Sequence, residues 1–314
     1  MAVVQVYIGS VLQYLRNGQV VGVPTDTVYG LAADACNGLA VAEIYNLKNR
    51  PAFNPLIIHV HDLSSALDFG VFNNDAVQIA QYFWSPSETA SALTIVVPLR
   101  EKTEISSLAL AGLDTIALRV PNHSMALQLL RDFGGPLAAP SANISNYLSP
   151  TTAEDVRLAF PDIPVLDGGQ CAVGIESTIV SCIDGVIQIL RPGIVTKEEI
   201  EKVLGKTIVG FSENLSGKLK APGALKKHYA PKKPMAMNIS GITEGDIFIG
   251  FGPLFKDLKL NLSPTGDLKE AAANLFRYLH IADSMEGQRI AISPVPNEGI
   301  GIAINDRLRR GVSG

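Results

Sequence analysis

Short apolar runs alternate with amphipathic segments along the first two thirds of the chain. The runs at residues 20–23, 56–60 and 93–97 are rich in β-branched or aliphatic side chains and too short for buried helices, so they predict strands. Other segments carry apolar residues at helical spacing, and they predict helices at residues 10–18, 39–48, 75–84 and 123–132. Strands that alternate with helices in this way predict an α/β fold.

Turn and capping residues set several boundaries. Pro24 ends the first strand because proline has no N–H to donate, and Pro51 stops the helix at 39–48. Asp75 is predicted to cap the helix that follows it. Thr152 and Thr196 each precede an acidic residue by three positions, and they predict capping boxes that begin two further helices.

Residues 177–191 predict a β-hairpin, with Asp184-Gly185 as its two-residue turn. Counting back from this turn pairs Thr178 with Arg191. Arg191 is therefore expected beside Ser177, at the start of the first strand of the hairpin.

The hydrophobic periodicity fades between residues 206 and 234, which predicts a linker between domains at 1–205 and 235–314. The linker is rich in lysine and contains the segment APGALKKHYAP, so it is a candidate lid over a phosphate site. In the last 80 residues, the segments MAMNI, DIFIGF and RIAIS predict strands around one amphipathic helix. They indicate a small Rossmann-like α/β domain.

Composition narrows the class of protein. Hydrophobic residues make up 47% and charged residues 18% of the 314 positions, so the chain can bury a large core and is not disordered. A net charge of −4 argues against a general nucleic-acid binder. Three cysteines without C-x-x-C spacing predict a reducing compartment. With neither a basic leader nor a long apolar run, we expect no signal peptide, no membrane span and a cytoplasmic location.

Polar side chains cluster where the predicted strands end. Thr25 and Thr27 follow the first strand, and the end of the helix at 39–48 delivers the cations Lys48 and Arg50. Arg119 lies in a strand with apolar neighbours, where it needs a carboxylate from the protein or from a ligand. Because ligands bind at strand ends in open α/β sheets, these groups indicate a site for a polar, anionic ligand. The residues alone leave open a plain turn with helix-dipole partners.

The residue spacing argues against three other common kinds of site: a P-loop, a zinc site and the nucleophile elbow of a serine hydrolase. Gly205-Lys206-Thr207 lacks the upstream glycine and the preceding strand of a P-loop, and the histidines show no zinc spacing. No G-x-S-x-G elbow is present.

Taken together, the strand-end motifs resemble those of the threonylcarbamoyl-AMP synthase family, which is built on a YrdC-like domain. The motifs are PTDTVYG, KNRP, LRVP, APSAN, SPTT, GIESTIV, LRPG and HYAP. The resemblance covers nearly the whole chain. It implies a large twisted open mixed sheet with flanking helices and a smaller C-terminal domain.

The resemblance also implies an activity. The family makes L-threonylcarbamoyladenylate and pyrophosphate from L-threonine, bicarbonate or CO2, and ATP, which is a nucleotidyltransferase reaction. Mg²⁺ is expected to accompany ATP, held by phosphates and water because no acidic cage is visible. The product is expected to pass to a tRNA-modifying transferase complex for N6-threonylcarbamoyladenosine synthesis, with at most weak tRNA binding by this chain.

The site residues are carried over from the family by position. Lys48 and Arg50 are expected as catalytic cations that neutralise charge moving onto pyrophosphate. The implied threonine-binding residues are Thr27, His59, Arg119, Ala139 and Ser177. The implied ATP-binding residues are Arg50, Asn54, Thr115, Ser141, Asn143, Ser149, Arg191 and Tyr229.

The chain departs from the family pattern in several places. The loop at 83–94 is longer than the family's FWPGPLT motif, and Ala221 replaces the usual serine of the linker. The C-terminal NRL motif carries an insertion at Asp306. Two rival functions stay open: a non-catalytic RNA-binding or regulatory module, and an enzyme that forms a carbamoyl adenylate from carbamoyl phosphate.

Overall fold

The computed structural model describes residues 7–85, 92–212 and 228–313. They form an eight-stranded mixed sheet and a three-stranded parallel sheet with flanking helices. This arrangement confirms the predicted α/β class, with a large mixed sheet and a small Rossmann-like unit. Part of the altered loop at 83–94 and most of the linker at 206–234 lie outside the described residues.

The large sheet has the strand order β1-β2-β6-β3-β5-β4-β7-β8. Its strands are β1 Val21–Val23, β2 Gly30–Asp34, β3 Ile57–His59, β4 Leu93–Pro98, β5 Thr115–Arg119, β6 Leu137–Ala138, β7 Thr178–Ile183 and β8 Val186–Arg191. The pairs β3–β5 and β4–β7 are parallel, and the other pairs are antiparallel. In this register His59 and Thr94 lie on either side of Arg119.

Among the described residues, seven α-helices accompany the large sheet. They are α1 Ile8–Arg16, α2 Gly38–Lys48, α3 Leu63–Leu67, α4 Asn74–Phe83, α5 Ser124–Phe133, α6 Ala153–Ala159 and α7 Lys197–Leu204. The main core joins buried residues of α2, α4 and α7 to apolar side chains of the strands. A separate strip of buried residues, including Ile57 and Ala117, lies elsewhere on the sheet. Two cavities border this strip: one is lined by Ile57 and the other by Ala117.

The small unit contains β9 Met235–Ala236, β10 Asp246–Ile249, α8 Leu268–Ser284, β11 Arg289–Ile292 and α9 Ile300–Val312. Its three predicted strands and the helix α8 are confirmed. Its core includes Val28, Leu148 and Ile175 of the large unit, so the two units share buried apolar surface. Gly174 lies close to the small unit, because a Cβ there would be 2.5 Å from the Cα of Ala273 in α8.

Two sequence predictions about helix ends are confirmed in detail. Thr152 and Thr196 both form capping boxes, each with the acidic residue three positions later. One cap is wrong: Asn73 caps α4 by accepting from the amide of Ala76, and Asp75 lies within the first turn. The first helix begins two residues earlier than predicted, at Ile8.

The strand pairings contain two further corrections. The strand β2 was not predicted because its sequence, Gly-Leu-Ala-Ala-Asp, has low β-propensity. In the hairpin, an irregularity between Ile179 and Val180 shifts the register, so Arg191 pairs with Ile179 instead of Thr178. A bulge of this kind adds a residue to one strand and cannot be read by counting from the turn.

Candidate active site

A cavity of about 560 Å³ lies at the strand ends of the large sheet, beside residues 228–229. Three arginines from separate elements converge on it: Arg50 follows α2, Arg119 ends β5 and Arg191 ends β8. The sequence-predicted residues that line it are Thr27, Arg50, His59, Arg119, Ala139, Ser141, Ser177, Arg191 and Tyr229. The expected convergence of cations in one hollow is therefore present.

The other predicted site residues lie outside the cavity lining. Thr115 lines a smaller neighbouring cavity together with Leu56 and Leu110. Asn54 is buried, and its carbonyl oxygen accepts from the Nε of Arg50 at 3.0 Å. The remaining predicted residues outside the lining are Lys48, Asn143 and Ser149.

Lys48 does not line the cavity but is hydrogen-bonded to the backbone of a residue that does, Ser141. Its side chain comes from the last turn of α2 and is buried, and its Nζ donates to the carbonyl oxygens of Ser141, at 2.5 Å, and Asn143, at 2.6 Å. Burial lowers the pKa of Lys48 well below its usual value. The predicted catalytic cation thus holds the loop that carries Ser141.

Arg50 and Arg191 are fixed by backbone carbonyls. Arg50 donates through Nη2 to the carbonyl of Pro55 at 2.7 Å. Arg191 donates through Nε and Nη2 to the carbonyl of Ser177 and through Nη2 to its hydroxyl. Burial lowers the pKa of each arginine to about 10, so both stay charged at neutral pH.

Arg119 forms an ion pair with an acid of the protein. Its Nη2 donates to Oδ1 of Asp26 at 2.5 Å, and its Nη1 donates to the hydroxyl of Thr27 at 2.7 Å. The sequence required a carboxylate near Arg119 but did not single out Asp26, whose partner lies 93 positions away. Arg119 still lines the cavity, so it can also contact a ligand.

The two histidines of the cavity are neutral. Burial, and then the charge of Arg119, lower the pKa of His59 to about 3. Burial also lowers the pKa of His228 to about 3. At neutral pH the positive charge of the lining therefore comes from the arginines.

Glu176 directly precedes Ser177 and was not among the predicted site residues. It lines the cavity, accepts the hydroxyl of Ser149, and accepts Nε of Arg307 at 3.1 Å. Burial raises the pKa of Glu176, but Arg307, Arg191 and Ser149 outweigh it, and the pKa lies below its usual value. Glu176 is therefore a carboxylate at neutral pH.

Arg307 reaches the site from α9 of the small unit. None of its side chain is exposed, and its Nη1 donates to the carbonyl of Pro192 at 2.6 Å. Arg307 thus contacts the residues that flank Ser177 and Arg191, namely Glu176 and Pro192. The altered NRL motif at residues 305–308 contains Arg307, but the motif gave no indication of the residues that Arg307 contacts.

Tyr229 closes one side of the cavity. Its ring lies 5.4 Å from that of Phe276 and 5.5 Å from the guanidinium of Arg307. Its φ of +62° is rare for a residue other than glycine, and the next amide, of Ala230, donates to the carbonyl of Asn146 at 2.9 Å. Contacts to both units therefore fix the start of the HYAP motif.

Two family models match successive parts of the chain. Residues 13–193 match the Sua5/YciO/YrdC family model, described as telomere recombination. Residues 195–313 match the model described as the threonylcarbamoyl-AMP synthase C-terminal domain.

Individual relatives match over nearly the full length. The threonylcarbamoyl-AMP synthase of Bacillus subtilis (strain 168) is 37% identical over 322 residues, which cover 96% of this chain and 91% of that protein. The threonylcarbamoyl-AMP synthase of Pyrococcus abyssi is 35% identical, covering 95% and 91% of the two chains. The crystal structure of P. abyssi Sua5 complexed with L-threonine matches with a TM-score of 0.84 at 32% identity, covering 98% of this chain and 94% of that one. The chain therefore belongs to the threonylcarbamoyl-AMP synthase family.

Proposed function

We propose that this chain is a nucleotidyltransferase that forms L-threonylcarbamoyladenylate and pyrophosphate from L-threonine, bicarbonate or CO2, and ATP. The observation that carries the proposal is the convergence of Arg50, Arg119 and Arg191 on one cavity with neutral hydrogen-bonding groups. Full-length relatives that bear this enzyme name support it, as does the L-threonine complex of P. abyssi Sua5.

The amino-acid half of the cavity lies around Arg119. Its guanidinium is suited to the carboxylate of threonine, and one charge-assisted hydrogen bond contributes roughly 1.5–3 kcal/mol. Thr27 and Ser177 supply hydroxyls, and Ala139 supplies an apolar contact. Because His59 is neutral, it adds no second charge that would favour a dianion in this half.

The nucleotide half lies between Arg50 and Arg191. Both remain charged, so they can neutralise a triphosphate and the charge that develops on pyrophosphate. The smaller cavity at Leu56, Leu110 and Thr115 offers an apolar surface for the base. This half is completed by Ser141, which Lys48 holds, and by Tyr229. It is supported by the buried residues Asn54, Asn143 and Ser149.

The reaction has two bond-forming steps. The amine of threonine attacks the carbon of CO2 and loses a proton to give a carbamate. With bicarbonate, the C–OH bond breaks and the departing hydroxide takes up that proton as water. A carbamate oxygen then attacks the α-phosphorus of ATP, and the bond to pyrophosphate breaks. The protein contributes mainly positioning and charge stabilisation, as in other phosphoryl transfers. Burial of the labile carbamate between the substrates and the cavity wall would also protect it from water.

Mg²⁺ enters this scheme as part of the ATP substrate. Within the described ranges, no three His, Cys, Asp or Glu side chains cluster to bind a metal. Both carboxylate oxygens of Glu176, which lines the cavity, are already hydrogen-bonded. We therefore infer that phosphates and water hold the ion. The chelation of Mg²⁺ by EDTA is expected to stop product formation.

The destination of the product belongs to the same proposal. A mixed anhydride of a carbamate and a phosphate is an activated acyl donor, so it suits transfer to the adenosine of a tRNA by a separate transferase complex. A cytoplasmic location is likewise a prediction. Among the described residues, no helix combines the length and apolar character needed to cross a bilayer.

Mass spectrometry of reaction mixtures tests the proposal. Protein, ATP, Mg²⁺, L-threonine and bicarbonate are expected to give L-threonylcarbamoyladenylate and pyrophosphate, and omission of any substrate should abolish both. RNA binding with a steep salt dependence and no ATP consumption would instead support a non-catalytic module.

The substitution Arg50→Lys is expected to lower kcat by about 10²-fold. The guanidinium donates to the carbonyls of Asn54 and Pro55 while facing the cavity, and a single ammonium cannot reproduce that fork. The measurement is the rate of pyrophosphate release. Arg157→Lys, on α6 outside the cavity, is the matched control and should keep native kcat. Native kcat in Arg50→Lys would exclude this role.

A further inference from the structure

Asp26 is a buried acid that touches the cavity only through other residues. It does not line the cavity, and its side chain is 7% exposed. Its Oδ1 accepts Nη2 of Arg119 at 2.5 Å and the backbone amide of Asn122 at 3.2 Å. A carboxylate in this place can act in two ways: it can balance the charge of Arg119, or it can fix the direction of the guanidinium.

The hydroxyl protons beside Arg119 have one consistent arrangement. Thr25 has one hydroxyl proton, and it donates that proton to the carbonyl of Val28 at 2.7 Å. The contact of 2.9 Å between the hydroxyls of Thr25 and Thr27 therefore requires Thr27 to be the donor. Thr27 then accepts from Nη1 of Arg119 at 2.7 Å and keeps one lone pair. The cavity thus presents a fixed acceptor beside a fixed guanidinium.

The backbone of these two residues is also anchored. The amide of Val173 donates to the carbonyl of Asp26 at 2.8 Å, and the amide of Gly174 donates to that of Thr27 at 3.2 Å. The Nε of Arg119 is buried and has no hydrogen-bond partner among the described residues. Asp26 and Thr27 are therefore the side chains whose hydrogen bonds set the orientation of the guanidinium.

We propose that Asp26 is a positioning residue for the amino-acid half of the site: it holds the guanidinium of Arg119 against Thr27, so that a donor for a carboxylate and an acceptor for an ammonium face an α-amino acid side by side. The assignment rests on the proposed function, in which Arg119 binds the carboxylate of L-threonine. A chain of two fixed contacts reduces the side-chain entropy that Arg119 loses when the ligand binds.

Two substitutions separate position from charge. Asp26→Asn keeps an oxygen for Nη2 of Arg119 but removes the negative charge, whereas Asp26→Ala removes both. If Asp26 acts by position, Asp26→Ala should weaken L-threonine binding about 10- to 100-fold, the loss expected for a misplaced charge-assisted contact. Asp26→Asn should keep the affinity for L-threonine within about threefold of the native value, because a neutral hydrogen bond replaces the charged one. Isothermal titration with L-threonine measures both.

Ligand changes show whether the loss passes through the carboxylate. L-threoninamide lacks the carboxylate, so Asp26→Ala should not weaken its binding further, and KM for ATP should stay native. Asp34→Asn, a substitution of a partly buried acid on β2 away from the cavity, is the matched control and should bind all ligands normally. If Asp26→Ala does not fold, Asp26→Ser removes the same contact with a smaller loss of polarity.

The outcomes distinguish this assignment from the proposed function. Equal losses in the Asn and Ala variants would show that charge balance matters and would overturn the positioning role. Equal losses for L-threonine, L-threoninamide and ATP would show a general structural effect and would also overturn it. A native protein that binds ATP but no L-threonine would overturn the proposed function itself.

Discussion

Replacing Arg307 by methionine is expected to lower the free energy of unfolding by about 3–5 kcal/mol, the usual cost of leaving one member of a buried ion pair alone. The carboxylate of Glu176 would stay buried without its nearest cation, and the carbonyl of Pro192 would lose a donor at 2.6 Å. Chemical denaturation with linear extrapolation measures the change. Activity should fall with it, because Ser177 and Arg191 adjoin the residues that Arg307 holds.

The small unit offers a matched control. Arg289 also pairs with an acid, Asp246 at 2.6 Å, but 40% of its side chain is exposed. The side chain of Asp246 is only 7% exposed, but the arginine that covers it faces solvent, so water can reach the carboxylate once Arg289 is replaced. Arg289→Met should therefore change stability far less than Arg307→Met. The double variant Arg307→Met with Glu176→Gln should recover part of the lost stability, because it removes the charge of Glu176 together with that of its partner. Equal effects of the two arginine substitutions would contradict the inferred importance of burial.

The pH dependence of the same variant follows from Glu176. Its folded-state pKa is lowered, so the stability it contributes is present above the unfolded pKa of about 4.3 and is lost as pH falls through the folded pKa. Without Arg307, the burial that raises the pKa of Glu176 is opposed by fewer groups. The difference in unfolding free energy between native protein and Arg307→Met should therefore be largest at neutral pH and shrink in acid. A difference that is constant between pH 7 and pH 4 would contradict this account.

Local sequence signals predicted many of the strands and helices. β-Branched runs marked β1, β3 and β4, and acidic residues three positions after Thr152 and Thr196 marked two helix starts. The same logic placed Arg50, Arg119 and Arg191 at the ends of elements, and these ends meet at one cavity. Such features depend on residues a few positions apart, which periodicity and capping rules describe well.

Long-range partners could not be read in this way. Asp26 meets Arg119 across 93 positions, and Arg307 meets Glu176 across 131. Lys48 carries a charge suited to phosphates, yet it reaches two carbonyls some 95 positions away. In each case the partner is set by the order of strands and the docking of the small unit, which no local pattern encodes. The bulge near Ile179 has the same origin in the sheet as a whole.

The enzyme is expected to reject L-valine relative to L-threonine by about 10⁴-fold in kcat/KM if its pocket hydrogen-bonds the substrate hydroxyl. Valine matches threonine in shape but would leave buried polar groups unpaired. The candidate is Ser177, whose hydroxyl lies 2.7 Å from that of Thr94 and accepts from Arg191. L-Serine keeps the hydroxyl and lacks one methyl, so it should lose only about 1–3 kcal/mol.

Initial rates of pyrophosphate release with each amino acid as the varied substrate measure this selectivity. L-allo-Threonine is the matched control, because it has the same atoms with the opposite configuration at Cβ and tests whether the hydroxyl must point in one direction. A value of kcat/KM for valine within about tenfold of that for threonine would correspond to no more than about 1.4 kcal/mol, far less than the roughly 5.5 kcal/mol of a 10⁴-fold rejection. That result would place the hydroxyl of threonine outside the hydrogen-bonding reach of Ser177, and it would leave the carboxylate contact of Arg119 as the main basis of amino-acid recognition.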